Sequence, residues 1–484
     1  MGDVTAGART AKPARRRVEL ATAHRRKSVD ALAMYAFIAL GLPDGMLGTA
    51  WPSVRHSFHL PLEDLGVVLL AGTVGAVAIS AVSGLVIERI GIARTVMLGG
   101  AMAATGAIVL VLSPAFWTFV LGGAAIGVSA ALIDGSINSA LALAGRNRLL
   151  NLVHGSYGIG TAVGPLVVTG AVLLVSWRPA YGFLFVADIA LVAGWWLAGR
   201  HVGVGRSAGT AAVAGTGSVA DIAPVAGTAS VAGAAPVSGV SPASALASAP
   251  VGPAPTLPPM LPPLARSLAA PALGTPAQGT RTPVTPSPGT SLTRLRLATV
   301  IALGLIVFMV YTGFEVSAGQ WAASFDRGPL HLGAGATGLA TFGYWGALTL
   351  VRFGLAIPRR RSAPLVVVRW GCGTAAVGAA LVWWRPATVV ALVGLVIIGA
   401  ALAGVFPALV ALTPERVGEE MARHVIGWQI GAASLGGSGI SAAFGVVFQH
   451  YGLKNFGPAL LVVAAVLIIG SVGLERAAAP AASR

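Results

Sequence analysis

The chain has 484 residues, of which 55% are hydrophobic and only 10% are charged, and its mean hydropathy is +0.81. A globular domain whose surface meets water carries many more polar residues, so this composition excludes a water-soluble protein and indicates an integral membrane protein. The net charge of +16 is typical of nucleic-acid-binding proteins, but the basic residues fall on alternate loops between apolar segments, so no nucleic-acid partner is expected.

Apolar windows of about 20 residues, the length that crosses the hydrocarbon core of a bilayer, recur in two groups of six. The first group lies near 31–52, 65–87, 93–113, 115–141, 152–175 and 179–198. The second group lies near 297–323, 334–357, 363–383, 387–411, 424–449 and 456–474. We therefore predict an all-α membrane protein with twelve transmembrane helices in two six-helix halves.

The spacing of the windows divides the chain into five parts. These are a basic N-terminal tail (1–30), an N-terminal half (31–198), a linker (199–296), a C-terminal half (297–475) and a short C-terminal tail (476–484). The linker has no aromatic residue between Gly199 and Thr293, so it cannot bury enough apolar surface to fold and is predicted to be disordered. The lone cysteine, Cys372, lies inside a predicted span, so no intramolecular disulfide can form.

Basic residues precede the first predicted span and follow the even-numbered spans. They are Arg15, Arg16, Arg17, Arg25, Arg26, Lys27, Arg89, Arg94, Arg146, Arg148, Arg359, Arg360 and Arg361. The positive-inside rule then predicts that both termini and the linker are cytoplasmic, in a multi-pass protein of the plasma membrane. The first apolar run has no signal-peptide cleavage pattern and contains Pro43 and Asp44, so we interpret it as a retained helix.

The loop between the second and third predicted spans reads GLVIERIGIART, from Gly84 to Thr95. This pattern resembles the signature of the major facilitator superfamily, a glycine followed by an acid, a base, a second glycine and further bases. The matching positions are Gly84, Glu88, Arg89, Gly91 and Arg94. Glutamate stands where aspartate is commoner, and Ala93 replaces one trailing base. The resemblance implies a gating motif, because an acid and a base can pair across a seam that opens and closes; an ordinary cytoplasmic turn is the alternative.

Acidic residues inside the predicted spans are the main candidates for function, since a charge at the bilayer centre costs at least about 2.5 kcal/mol on insertion scales. Asp44 is flanked by Pro43 and Gly45, which weaken a helix and free backbone groups to line a cavity. Asp134 shares a helix face with Asn138, four residues later. We interpret Asp134 and Asp44 as proton-coupling residues; a hydrogen-bonded structural acid is the alternative for each.

Two further acids lie in predicted spans. Glu315, in the stretch YTGFEVSAGQW, extends the predicted polar lining from the second half. Asp188 has no polar neighbour at helical spacing and favours a structural role.

The stretches ALIDGSINSA (130–139) and NRLLNLVHGSYGIGTAVGP (147–165) resemble the fucose-permease branch of the superfamily. That branch consists of sugar–proton symporters with relatives driven by sodium. Its acid and asparagine in the fourth helix are matched by Asp134 and Asn138, and its acid in the first helix by Asp44. In the fifth helix, Asn151 and the pair Tyr157 and Gly158 match. Amides are usual where this chain has His154 and Gly155, and Asp134 replaces a glutamate, so the resemblance leaves the solute unnamed.

The predicted solute-binding residues combine amides, an imidazole, a carboxylate and two rings that can stack on a sugar face. They are Asn138, Asn151, His154, Glu315, Trp321, Trp345 and Gln429. Each has an alternative: a hydrogen-bonded helix-end histidine for His154, an interfacial aromatic belt for Trp321, and packing or helix–helix hydrogen bonds for Trp345 and Gln429. Arg352 lies near a predicted cytoplasmic helix end, from which a long side chain can reach the membrane surface.

These observations favour a secondary active transporter that moves a small polar solute, a sugar, by alternating access. Transport is expected to be coupled to protons, and sodium is the alternative coupling ion. A proton-driven exporter of drugs or metabolites is the first alternative, because GIGTAVGP (158–165) partly resembles an antiporter signature. An intramembrane aspartyl protease would need a Gly-x-Gly-Asp motif, which GLPD (41–44) does not match, so we predict no enzyme activity. A solute receptor is a further alternative. The expected partners are the solute and the lipid bilayer, with no cofactor and no metal site, and a monomer suffices.

Overall fold

The computed structural model describes residues 6–200, 294–355 and 363–479, and most of the predicted linker lies outside these ranges. The helices of the first half are α1 (Ala6–Phe58), α2 (Asp64–Ile90), α3 (Ile92–Leu112), α4 (Phe116–Leu143), α5 (Asn147–Leu174) and α6 (Arg178–Arg200). Those of the second half are α7 (Arg294–Arg327), α8 (Ala334–Leu355), α9 (Pro364–Trp384), α10 (Thr388–Leu402), α11 (Val405–Ala411), α12 (Thr413–Val417), α13 (Glu419–Tyr451) and α14 (Phe456–Ala478). The predicted all-α class is confirmed.

Ten helical segments are long and apolar enough to cross a membrane, counting α10 to α12 as one. The helix α2 bends by 57° between Asp64–Ser80 and Val82–Ile90, and this bent pair brings the number to as many as eleven. The helix α8 has 22 residues but is not among them. A chain with this many apolar helices is a multi-pass membrane protein. The count of twelve spans and the cytoplasmic position of the termini stay predictions.

Glycines bring helices of the first half into backbone contact. The helix α1 packs along α5, and a Cβ atom on Gly45 would lie 2.1 Å from the carbonyl oxygen of Thr161. A Cβ atom on Gly160 would lie 2.1 Å from the carbonyl oxygen of Ile38. No side chain fits at either position, which is how small residues allow close helix packing in membranes.

The two halves meet mainly through three helix pairs: α1 with α7, α5 with α8, and α2 with α13. The side-chain amide of Gln320 in α7 donates a hydrogen bond to the backbone oxygen of Asp44 in α1, at 2.9 Å. The hydroxyl of Thr349 in α8 donates to the backbone oxygen of Gly158 in α5, also at 2.9 Å. Side chains of the second half therefore hydrogen-bond to the backbone of the first half.

The contact between α2 and α13 is tight near the start of α2. The backbone N–H of Leu62 donates to Gln449 Oε1 at 2.7 Å, and a Cβ atom on Gly66 would lie 2.6 Å from the Cβ of Ala442. Near the other end of α2, a Cβ atom on Gly84 would have nothing within 4 Å. The seam between these two helices is therefore closed at the end of the bundle where α1 passes into α2.

Candidate functional site

A cavity of about 180 Å³ lies between the halves and extends into the first half. Most of its wall is apolar. The polar and aromatic residues in its wall are Asp44, Thr73, Phe119, Tyr157, Tyr181, Gln320, Trp345, Ser434 and Ser438. A concave, largely apolar site with a few convergent polar groups is the usual form of a small-molecule site.

The carboxylate of Asp44 is the one acidic group in the wall of this cavity. Asp44 lies fourteen residues before the end of α1, or about 21 Å along the helix, yet its side chain is exposed because it faces the open space. The hydroxyl of Tyr157 in α5 donates a hydrogen bond to Asp44 Oδ2. The helix α1 runs without a break through Pro43, so the weakening that its sequence suggests is not a break in the helix.

Gln320 joins the two halves at the same place. Its Nε2 atom bonds the backbone of Asp44, whereas its Oε1 atom is buried without a hydrogen-bond partner in the described part of the chain. Gly48 makes room for it, because a Cβ atom there would lie 2.8 Å from Gln320 Oε1. Gln320 was not predicted as a site residue, although it lies in the stretch YTGFEVSAGQW. Its position as a polar residue within a predicted span could have identified it as a candidate.

Asp134 and Asn138 lie in α4, outside the wall of the cavity. Asp134 is buried, and it follows the wall residue Ala130 by one helical turn on the same face of α4. The Oδ1 atom of Asn138 is buried and has no hydrogen-bond partner among the described residues. Asp134 thus lies one turn beyond the cavity wall and Asn138 two turns beyond it, and neither is part of the wall in this conformation.

Glu315 is in the interior of the second half, where it forms an ion pair with Arg352. The Arg352 Nη2 atom lies 3.0 Å from Glu315 Oε2, and both side chains are almost completely buried. The hydroxyl of Tyr311 also donates to Glu315 Oε2. Arg352 therefore does not extend to the membrane surface, contrary to the expectation from its position near a helix end, because its charge is paired inside the protein.

The remaining predicted solute-binding residues are dispersed. Trp345 is in the wall of the cavity. Trp321 is fully buried and donates its ring N–H to the backbone oxygen of Ser441 at 2.9 Å, so the alternative of an interfacial belt is wrong. Gln429 accepts a hydrogen bond from the hydroxyl of Thr413 at 3.0 Å.

Two predicted residues lie in α5. His154 packs edge-on against Phe37, with ring centroids 5.2 Å apart. The backbone of Asn151 lies in the same helix, but its side chain is outside the described part of the structure.

The predicted gating motif lies where α2 meets α3, and all five of its residues are exposed: Gly84, Glu88, Arg89, Gly91 and Arg94. Gly91 has a φ angle of 81°, in the left-handed region that favours glycine, and its N–H bonds the carbonyl oxygen of Ile87. The second glycine is therefore needed for the turn between the two helices.

A family model described as Major Facilitator Superfamily matches residues 33–441. Among curated proteins, the chain is similar to the uncharacterized MFS-type transporter YcaD of Escherichia fergusonii. The identity is 30% over 142 residues, which are 28% of this chain and 37% of that protein. The chain thus matches little more than a third of the length of this relative.

The solved structures that share the fold include two named as sugar symporters. The proton:xylose symporter XylE has a TM-score of 0.59 and 11% identity, covering 94% of this chain and 96% of that chain. The fucose:proton symporter FucP of E. coli has a TM-score of 0.52 and 14% identity, covering 93% of this chain and 98% of that chain.

These similarities agree with the many apolar helices and with the cavity between two halves, and they give no support to an intramembrane protease. The matched region covers most of the sequence and both halves. The chain belongs to the Major Facilitator Superfamily and is a transporter rather than an enzyme.

Proposed function

We propose that the protein is a secondary active transporter that moves a small polar solute, a sugar, by alternating access coupled to protons. The observation that carries the proposal is the carboxylate of Asp44, which faces the cavity at the contact between the halves. An acid inside a membrane bundle is costly and favours a function in transport. Two solved structures with this fold are named as sugar symporters, which supports a sugar as the solute.

The other polar groups of the cavity suit a solute that carries hydroxyl groups. The Oε1 atom of Gln320 can accept a hydrogen bond, and the hydroxyl groups of Ser434 and Ser438 can both donate and accept. The ring of Trp345 offers an aromatic face on which a sugar ring can stack. Such a solute would exchange its hydrogen bonds with water for bonds with these side chains.

Coupling follows if the solute binds well only when Asp44 is protonated. A ligand shifts an equilibrium only through its different affinities for two states, so the solute and the proton would then cross together. The hydroxyl of Tyr157 orients the Asp44 carboxyl towards the cavity. Asp134, one turn from the wall of the cavity, is the second proposed proton-coupling residue. Sodium in place of the proton is the alternative for the ion.

Alternating access requires that the halves part at one end while they close at the other. The seam between α2 and α13 is closed beside Leu62 and Gln449. In this proposal that seam opens in the other state, and the exposed motif residues Glu88 and Arg89 then form contacts across the opposite end.

Export of a drug or metabolite is the second candidate function. Many wall residues of the cavity are apolar, among them Leu47, Leu69 and Ile126, and apolar walls suit lipophilic solutes. Direction and solute therefore need to be tested together.

The test uses proteoliposomes that contain a pH dye, with no initial gradient, to which single sugars are added outside. We expect one sugar to acidify the interior, and we expect Asp44→Asn to abolish the signal. Asp30→Asn is the matched control, because Asp30 pairs with Arg146 outside the wall of this cavity. If no sugar gives a signal, with or without external sodium, the sugar proposal is wrong, and proton-driven loss of a preloaded lipophilic dye would favour the exporter.

A further inference from the structure

The cavity is longer than the contact between the halves requires. Its wall follows α4 from Phe119 to Ala130, eleven residues or about 16 Å along the helix. It also follows α2 from Val68 to Ala76, about 12 Å. From the group around Asp44, the space therefore continues between helices of the first half.

Apart from Thr73, whose hydroxyl is hydrogen-bonded to Ser438, this extension is apolar along its length. We call it the apolar branch, and its wall consists of Val68, Leu69, Gly72, Leu110, Phe119, Gly123, Ile126 and Tyr181. Such a wall offers no hydrogen bonds to a hydroxyl-rich ring. It suits an aryl or alkyl group, which gains free energy when it leaves water.

Tyr181 lies in the wall beside Phe119, away from Asp44, and its side chain carries the one hydroxyl at that end of the apolar branch. The residue is 1% exposed, and this hydroxyl has no hydrogen-bond partner among the described residues. The ring is held edge-on by Phe119 and Trp177, each with its centroid 5.9 Å away. A buried hydroxyl without a protein partner is unfavourable, so a ligand atom that reaches it would gain a hydrogen bond.

We infer that the solute is a glycoside whose apolar group occupies the apolar branch and ends in a hydrogen-bonding atom beside Tyr181. Its sugar ring lies at Asp44, Gln320 and Trp345, as in the proposed function on which this inference rests. The opposite orientation is unfavourable, because a hydroxyl-rich ring in the apolar branch would lose its hydrogen bonds with water and gain one only with Tyr181. The solute class is thus an aryl or alkyl glycoside rather than a free monosaccharide.

The test compares each free sugar of a panel with its phenyl and 4-nitrophenyl glycosides. Binding is measured in lipid nanodiscs free of glycoside detergents, which would themselves compete, and coupled uptake is measured in proteoliposomes. For one sugar, we expect the phenyl glycoside to bind about tenfold more tightly than the free sugar, because its ring is buried in the apolar branch. The nitro group adds an acceptor for the Tyr181 hydroxyl and should tighten binding further.

Three variants separate the contributions. Tyr181→Phe should remove the additional affinity of the 4-nitrophenyl glycoside, and Ile126→Phe, which fills the apolar branch, should weaken both glycosides relative to the free sugar. Tyr35→Phe is the matched control: the Tyr35 hydroxyl donates to the backbone oxygen of Ala187 and lies outside the cavity wall. That variant should behave as the native protein.

The outcomes distinguish the two proposals. Coupled uptake of a free sugar, together with equal or weaker binding of its glycosides, overturns the glycoside inference and leaves the proposed function standing. An unchanged preference in both Tyr181→Phe and Ile126→Phe also overturns the inference. If neither sugars nor glycosides bind or move, both the proposed function and the inference are wrong.

Discussion

Arg352 and Glu315 form an ion pair in the interior of the second half, with Arg352 Nη2 3.0 Å from Oε2 and 3.2 Å from Oε1 of the carboxylate. The same cluster reaches the break between α10 and α11. The Nε atom of Arg352 donates to the backbone oxygen of Ala403 at 3.3 Å, and the Tyr311 hydroxyl, which is shared with Glu315, lies 3.0 Å from the backbone oxygen of Leu402. The cluster therefore satisfies carbonyl groups that the interrupted helix leaves without helical partners.

Removing one partner of this pair should destabilise the protein strongly. Arg352→Met leaves the Glu315 carboxylate buried without its counter-charge, and we expect a loss of about 3–5 kcal/mol in the free energy of unfolding. Combining it with Glu315→Leu should recover much of that loss, because an apolar pair carries no desolvation penalty. Thermal unfolding in nanodiscs measures both effects.

The matched control for this prediction is Arg369→Met, since the Arg369 side chain is 63% exposed in its pair with Glu475. An exposed ion pair contributes little to stability. If Arg352→Met and Arg369→Met unfold at similar temperatures, the buried ion pair contributes no more to stability than the exposed one.

Asp134→Asn should separate coupling from binding. We expect the variant to lose accumulation against a gradient, so that the internal solute concentration never exceeds the external one, while counterflow exchange of labelled solute continues. The physical reason is that an amide keeps the shape of the carboxyl but cannot carry a proton. Loss of both activities would indicate a role in binding or folding instead.

Asp188→Asn is the control for that experiment. Asp188 is a second buried acid of the first half, outside the wall of the cavity, with its Oδ2 atom unpaired among the described residues. Accumulation should persist in this variant. A parallel loss of accumulation in Asp188→Asn would show that the effect is not specific to Asp134.

Gly160→Val should force α1 and α5 apart. Its Cβ atom would lie 2.1 Å from the backbone oxygen of Ile38, and we expect a destabilisation of about 1–3 kcal/mol, the usual cost of overpacking. Gly170→Val, in the same helix, has nothing within 4 Å of the new Cβ atom and should have little effect. Thermal unfolding of the two variants side by side checks the prediction, and equal melting temperatures would refute it.

A cysteine pair at Thr73 and Ser438 should lock the seam between α2 and α13. The two hydroxyl groups are hydrogen-bonded in this conformation, so thiols at these positions are close enough for a disulfide. In a background with Cys372→Ala, which removes the one native thiol, oxidation should stop transport and reduction should restore it. Transport that continues after complete cross-linking would mean that this seam need not open.

The control pair is Gly84→Cys with Gly431→Cys, which lie further along the same two helices, towards the end of α2 and the start of α13. A Cβ atom at either position has nothing within 4 Å, so this pair should not cross-link in the conformation described. Efficient cross-linking there would instead show that the seam also closes at this end.

The architecture followed from the sequence because its signals are local. Each of these signals is contained within a few turns of chain: the apolar windows, the glycines and prolines at helix ends, and the motif from Gly84 to Arg94. Together they predicted an all-α transporter of this superfamily. The helix α8 departs from the pattern: its window was predicted as a span, but it is not among the ten described segments that are long and apolar enough to cross a membrane. The local signal was weakest there because small and hydroxylated residues are frequent in it.

What the sequence by itself determined, then, was the class and the family, and it placed several polar residues within apolar segments of the chain. Which of these residues meet was decided only by the tertiary structure. Asp44 meets Tyr157 and Gln320, which are 113 and 276 residues away, whereas Glu315 meets Arg352 rather than the cavity. The physical reason is that a polar side chain in a membrane protein bonds whichever partner helix packing brings within reach, and this packing depends on contacts between residues far apart in the sequence.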